Sequence, residues 1–202
     1  MKVIAIYSGK GGVGKSTTSA LIALAMADRF DKVSLLDFDI NTPSAPVLFG
    51  GRSEVNNLKI HSTGYRCGGL MGFTGTAQKK VLNSLVKQVE VYDPDVCIID
   101  MPPGTSSVHL SVCGKISPSS FILISQPNSL CESDAMRATE LFAKIEAPIL
   151  GVIYNMVGDF FGTDPSGKIG LNVLKSVNSD MILQINQMPE LSMKSLTTHI
   201  PA

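Results

Sequence analysis

Six short apolar runs punctuate the chain: VIAIY (3–7), VSLLD (33–37), VCIID (96–100), FILIS (121–125), ILGVIYN (149–155) and MILQI (181–185). They are rich in β-branched residues and apolar at both odd and even positions. That is the pattern of strands buried on both faces, as parallel strands covered by helices are. Between them, apolar residues recur at helical spacing over 15–29 (KSTTSALIALAMADR), 77–91 (AQKKVLNSLVKQVEV) and 131–145 (CESDAMRATELFAKI). Asp93-Pro94 closes the second of these and Pro148 follows the third, as helix stops do. Strands alternating with helices predict an α/β fold: a three-layer, doubly wound, mainly parallel sheet with helices on both faces. The Gly- and Ser-rich stretch 51–76 has no clear period, and a short strand or hairpin fits it; 157–170 reads as a loop. No internal repeat or low-complexity linker divides the chain, and 202 residues suit a single domain over 1–202.

The first strand runs into SGKGGVGKST (8–17), in which Gly9, Gly14, Lys15 and Ser16 fit G-x-x-x-x-G-K-[ST]. Strand before and helix after are the context this motif requires. Glycines let the backbone wrap closely around phosphates. The bared N–H groups of Gly9 to Thr17, with Gly11, Gly12 and Val13 between, and the helix N-terminus then face negative charge. In this reading Lys15 reaches the β- and γ-phosphates of ATP, Ser16 ligates Mg²⁺ and Thr17 donates to the α-phosphate. A glycine-rich turn of no function is the alternative. A dinucleotide site is excluded, because GKS stands where G-x-G-x-x-G would be needed.

Two later strands end in carboxylates. LLDFDINTPSAP carries Asp37 and Asp39, and IIDMPPGT carries Asp100. Ligands of open α/β sheets sit beyond the carboxyl ends of the strands, so these aspartates converge on the phosphate loop. Asp100 reads as the carboxylate that holds Mg²⁺, through water or through Ser16. Asp39 is the candidate to orient the attacking water and to stand near the metal. Asp37 supports either the metal's outer shell or the loop geometry. A helix cap or a turn is the other common use of Asp.

Composition narrows the function classes. Lys plus Arg and Asp plus Glu number 17 each, so no nucleic-acid or membrane footprint covers the whole surface. No run reaches the roughly 18 apolar residues of a spanning helix. The start, MKVIAIY, lacks the cleavage region of a signal peptide, and a cytoplasmic protein is expected. Cys67, Cys97, Cys113 and Cys131 are scattered without a CxxC pair, which suits free, mostly buried thiols. His61, His109 and His199 show no metal spacing.

The loop has one lysine more than a phosphate needs. With Lys10 included, KGGVGKS resembles the deviant Walker A sequence of the Mrp/MinD/ParA group of ATPases. LLDFDINTPSAPVLFG, IIDMPPGTSSVHLSV, SQPNSLCESDAMRA and APILGVIYNM follow in the order and spacing of the Mrp (ApbC-like) branch. The resemblance implies a Mg²⁺-dependent ATPase that dimerises on ATP, with Lys10 reaching the partner's phosphates, and Asn155 on adenine with Met156 beside it. A cation there would stabilise charge developing on the transferring phosphoryl group. The branch carries iron–sulfur clusters on a CxxC pair after its NM strand, but this chain reads NMVGDFFGTDPSGKIG there. The segment between Gly50 and Ala77 is also shorter than in that branch.

The expectation is therefore an ATP-dimerised switch with an unidentified protein partner. Two alternatives remain at this stage: cluster carriage with non-standard ligands, or a ParA-like positioning ATPase. For the latter, Lys79, Lys80 and Lys87 on one helix could meet DNA, although a solvated helix face is the plainer reading. A MinD-like membrane helix is disfavoured by the end LSMKSLTTHIPA.

Overall fold

A computed structural model describes residues 1–65, 75–104, 113–126, 129–143 and 148–155. Seven strands form one sheet: β1 (Lys2–Tyr7), β2 (Val33–Asp37), β3 (Glu54–Val55), β4 (Leu58–His61), β5 (Val96–Asp100), β6 (Ser120–Ser125) and β7 (Ile149–Tyr154). Their order across the sheet is β3-β4-β2-β5-β1-β6-β7. Every neighbouring pair is parallel except β3–β4. The helices are α1 (Lys15–Ala27), the short α2 (Ala45–Leu48), α3 (Gly75–Tyr92) and α4 (Ser129–Ala143).

The period of two along the strands sorts the core into two layers. Val3, Ala5 and Tyr7 of β1 face one way, with Cys97 and Ile99 of β5, and pack on Leu82, Leu85, Val86 and Val89 of α3 and on Ala138 and Phe142 of α4. Ile4 and Ile6, with Leu35, Ile60 and Ile98, face the other way onto Ala20, Ile22 and Leu24 of α1. This is the expected three-layer, mainly parallel α/β architecture. The strand expected at 181–185 and the loop at 157–170 lie outside the described residues, as do Cys67 and Met156.

The stretch without a clear period contains a hairpin and a turn. β3 and β4 pair antiparallel, Val55 opposite Leu58 and Glu54 opposite Lys59, around Asn56 at φ 52°. Asn tolerates that left-handed backbone better than most residues. β4 then pairs parallel with β2. Asn57 Nδ2 donates to the carbonyl of Ala27 at 2.7 Å, closing an orphan acceptor at the end of α1. α3 stops at Asp93 (φ 51°), whose N–H bonds the Val89 carbonyl at 2.9 Å, and Pro94 prevents continuation.

Register places the site. Ile6 of β1 and Asp37 of β2 both stand level with Asp100 of β5. The carboxyl ends of three adjacent strands thus form a shelf, and the loop 8–14 and helix α1 rise from it.

Candidate functional site

The loop after β1 bends through Gly12 (φ 80°) and Gly14 (φ 85°), backbone positions that L side chains rarely adopt. Gly14 is also the N-cap of α1. No side chain caps that helix, and no acidic residue sits in its first turn. Its first N–H groups and the positive end of its dipole therefore remain available to an anion. Gly9 meets a different demand: a Cβ there would lie 2.4 Å from Cβ of Asp134 on α4. The loop and α4 are in close contact at this point.

A cavity of about 650 Å³ opens over the loop. Its walls include Lys10, Gly11, Gly12, Gly14, Lys15, Ser16 and Thr17 from the loop side, and Asp39, Thr42, Pro43 and Ser44 from the β2–α2 loop with Val47 of α2. Most of the residues expected to surround phosphates are thus brought together, with Asp39 across the cavity from the loop. Three expected residues lie behind this wall. Gly9 is held against Asp134, Asp100 is buried at 3% exposure, and the Val13 side chain is buried in the core layer under α1.

Beneath the cavity floor, Lys15 Nζ donates to Asp100 Oδ1 at 2.6 Å, and Ser19 Oγ donates to the same oxygen at 3.0 Å. Lys15 Nζ also lies 3.4 Å from Ser16 Oγ. Lys15 and Asp100 side chains are only 7% and 4% exposed, so neither charge is tolerable there without the other. Ser19 is a contributor that the motif reading passed over. It lies one helical turn after Lys15, where i and i+4 side chains share a face.

The aspartates of DFD have distinct environments. Asp37 is fully buried. Its Oδ1 accepts the N–H of Asp39 at 3.1 Å, and its Oδ2 accepts the N–H of Ala45 at 3.2 Å and the hydroxyl of Ser62 at 3.1 Å. Burial, and then the nearby charge of Asp100, pushes its carboxyl up to about 7 against the opposing pull of those three donors. Both oxygens are committed to the protein's own donors, two amides of the following loop and helix start and the hydroxyl of Ser62. Asp39 is half-exposed and reaches the cavity. Among the described residues its side chain accepts one hydrogen bond, from the Thr42 N–H at 3.3 Å.

Lys10 Nζ lies 3.8 Å from Asp134 Oδ2, and Asp134 Oδ1 accepts from Arg137 at 3.3 Å. Lys10 is 41% exposed on its side chain, so this pair is weak and exchangeable. Asn155 sits at the end of β7 and donates from Nδ2 to the carbonyl of Val13 at 2.9 Å. In this structure its amide supports the phosphate loop from behind, a contact across 142 positions that only the folded arrangement reveals.

Lys79, Lys80 and Lys87 of α3 are exposed. Lys87 borders a second cleft, of about 550 Å³, with Lys59, His61 and Tyr92. Among the described residues no group of three or more His, Cys, Asp and Glu could hold a metal ion by itself. Cys97 and Cys131 are buried and Cys113 is half-buried. Burial raises the Cys113 thiol and pushes that of Cys97 up to about 12. Among the described residues no helix is long and apolar enough to cross a membrane.

Comparison with known proteins agrees with this geometry. The family model described as ParA, NUBPL iron-transfer P-loop NTPase, matches residues 1–198. An iron-sulfur cluster carrier protein of Rickettsia bellii is 33% identical over 205 residues, covering 95% of this chain and 63% of its own. The iron-sulfur cluster transfer protein NUBPL of Mus musculus is 34% identical over 213 residues, covering 92% of this chain and 66% of its own. The chain thus spans about three fifths of the length of the curated relatives it matches. Among solved structures, an ADP-bound nucleotide-binding protein of Archaeoglobus fulgidus superposes with a TM-score of 0.65 at 23% identity, over 100% of this chain and 92% of its own. The MinD protein of Pyrococcus horikoshii, solved with Mg-ADP, superposes at 0.55 and 23% identity, over 88% and 77%. These two share the fold. On the family match over nearly its whole length and on the relatives above 30% identity, the chain belongs to the ParA/NUBPL family of P-loop NTPases.

Proposed function

We propose that the protein binds Mg²⁺-ATP in the cavity over residues 9–17, hydrolyses it slowly, and acts as a cytoplasmic switch whose ATP-bound form is a homodimer. The observation that carries this reading is the pairing of an uncapped α1 N-terminus with the Lys15–Asp100 ion pair beneath it and Asp39 facing it across the cavity. The residues fit the ligand: free N–H donors and a lysine for phosphate, and hydroxyl and carboxylate oxygens, the hard donors Mg²⁺ prefers. The ADP and Mg-ADP in the two solved neighbours support the same choice.

The chain's own residues divide the work. Lys15 exchanges Asp100 for phosphate oxygens, which frees the Asp100 carboxylate to face the cation beside Ser16. Mg²⁺ would supply charge neutralisation at the phosphates. Asp39 orients the attacking water. Lys10 leaves its weak pair with Asp134 and enters the site of a second copy, where it stabilises the charge of the transferring phosphoryl group. Asn155 holds Val13, and with it the loop, in register.

A second reading follows from the relatives' names: a role in handling an iron–sulfur cluster as cargo. The described cysteines do not fit cluster ligation, since Cys97 and Cys131 are buried, Cys113 is half-buried, burial raises the thiols of Cys97 and Cys113, and the three are not grouped, whereas a cluster is held by thiolates. In this chain, nucleotide switching is the part of such a role that the described residues can perform, and a protein partner would supply the cargo site.

The test is a pair of variants. Lys10→Ala is expected to keep nucleotide affinity within about threefold while turnover falls by two orders of magnitude or more. Lys15→Ala is expected to lose binding itself. Equal affinity losses in both would refute the trans role of Lys10. Anaerobic incubation with iron and sulfide is expected to give no visible absorbance band, and a stable band would restore the carrier reading.

A further inference from the structure

The Asp39 side chain makes one contact within its own loop, so something else must fix its place. The loop 38–48 that carries it is fastened from outside by the four residues that follow β4. Ser62 Oγ donates to Asp37 Oδ2 at 3.1 Å and accepts the N–H of Gly64 at 3.2 Å. Thr63 Oγ1 donates to the carbonyl of Ile40 at 3.2 Å. Gly64 lies against two proline rings of the loop: a Cβ on it would stand 2.7 Å from Cγ of Pro46 and 3.0 Å from Cγ of Pro43. Tyr65 donates its hydroxyl to the carbonyl of Arg52, just beyond α2.

Of these contacts, the Ser62 bond reaches Asp37. Its carboxylate binds the amide of Asp39 itself, the amide of Ala45 at the start of α2, and Ser62. Ser62 and Thr63 are buried, at 5% and 6% exposure, so both hydroxyls are bonded in a dry environment, where geometry is held tightly. None of residues 62–65 lines the nucleotide cavity. Their influence on it runs through the loop.

We propose that Asp37 and the turn 62–64 form a clamp that positions Asp39, so that the turn after β4 sets the rate of hydrolysis without setting nucleotide affinity. Asp37, Ser62 and Gly64 are positioning residues in this scheme, acting through Asp39. The proposal rests on the role given to Asp39 above. It also identifies the turn as a control point: a partner that displaces residues 62–64 would slow hydrolysis while leaving ATP bound.

The clamp is tested with Ser62→Ala, which removes one hydroxyl without adding bulk, compared with Ser62→Thr, Asp39→Ala and the double variant. Mg²⁺-ATP affinity, single-turnover phosphate release and amide exchange are measured on each. Ser62→Ala removes the bonds to Asp37 and from the Gly64 N–H and is expected to lower the hydrolysis rate about five- to tenfold. Affinity stays within twofold, Ser62→Thr recovers most of the rate, and exchange quickens in peptide 38–48 but not in 15–27. The double variant is expected to hydrolyse no more slowly than Asp39→Ala alone, because Ser62 acts through Asp39. An unchanged rate in Ser62→Ala beside a strong loss in Asp39→Ala overturns the clamp and leaves the proposed function standing. A wild-type chain that hydrolyses no faster than Asp39→Ala overturns both. A loss of affinity equal to the loss of rate in Ser62→Ala overturns the clamp, since a general loosening of the site would produce it.

Discussion

At the scale of single residues, the environment decides what a given side chain does. Asp37 and Asp39 are two positions apart, yet one spends both oxygens on main-chain amides and a serine while the other faces the cavity. His61 gives the same lesson for charge. It is 3% exposed, with Nε2 3.2 Å from Ser34 Oγ. Burial, and then the charge of Lys59, lowers its pKa from 6.5 to about 4 against a hydrogen bond that the ring makes to Gln88. The folded state therefore keeps His61 neutral where the unfolded chain would protonate it. Its contribution is complete above pH 6.5 and is lost as the pH falls toward 4, by at most about 3 kcal/mol. Urea titrations at pH 7.5 and pH 5 are expected to show this His61 loss at up to about 2 kcal/mol over that range, set against the raised Asp37 carboxyl, which shifts stability the opposite way in wild type and variant alike. His61→Gln is expected to lose distinctly less, and equal losses would mean that other groups carry the acid sensitivity.

At the scale of elements, the legible parts are those with a strong period or a strong motif. β1, β2, β5, β6 and β7 coincide with the apolar runs to within a residue, because a strand covered on both faces has little room for polar side chains. The phosphate loop was legible for the same kind of reason: only glycines permit φ 80° and 85° next to a helix N-terminus. Short elements were less legible: a short strand or hairpin was expected within 51–76, where β3 and β4 lie, but its position was not, and α2 was not expected. α2 is four residues with Pro46 in its first turn, and β3 is two residues. Their stability comes from neighbours in space, and local sequence carries little of it. The same holds for Asn155 on Val13 and for Ser62 on Asp37, partners separated by 142 and 25 positions.

Packing of α4 against the sheet is an element-scale prediction. Phe142 stacks on Phe121 with ring centroids 3.9 Å apart and meets Tyr7 edge-on at 4.9 Å. The stack secures the helix that presents Asp134 to Gly9 and Lys10. Phe142→Ala is expected to cost about 3–5 kcal/mol in chemical unfolding. It should also weaken nucleotide binding, through the displaced loop. Full affinity in the destabilised variant would show that α4 does not help to shape the loop.

At the scale of the whole molecule, one sheet brings three carboxyl strand ends to a common level, and Lys10 stands half-exposed at the cavity, loosely held by Asp134. A surface pair of this kind contributes about 0.2–1 kcal/mol, little enough for a second copy to outcompete. Nucleotide capture by Lys15 and completion of the site by Lys10 are then separate events, the second depending on protein concentration. That separation is the physical basis of a switch.

The most direct test of this central claim is the solution mass of Asp39→Ala by light scattering, with and without Mg²⁺-ATP. The account predicts about 21.5 kDa without nucleotide, close to twice that with Mg²⁺-ATP, and a return to the lower value when Lys10→Ala is added. A mass that stays at one chain with saturating Mg²⁺-ATP would contradict it, and so would a dimer whose formation ignores both the nucleotide and Lys10.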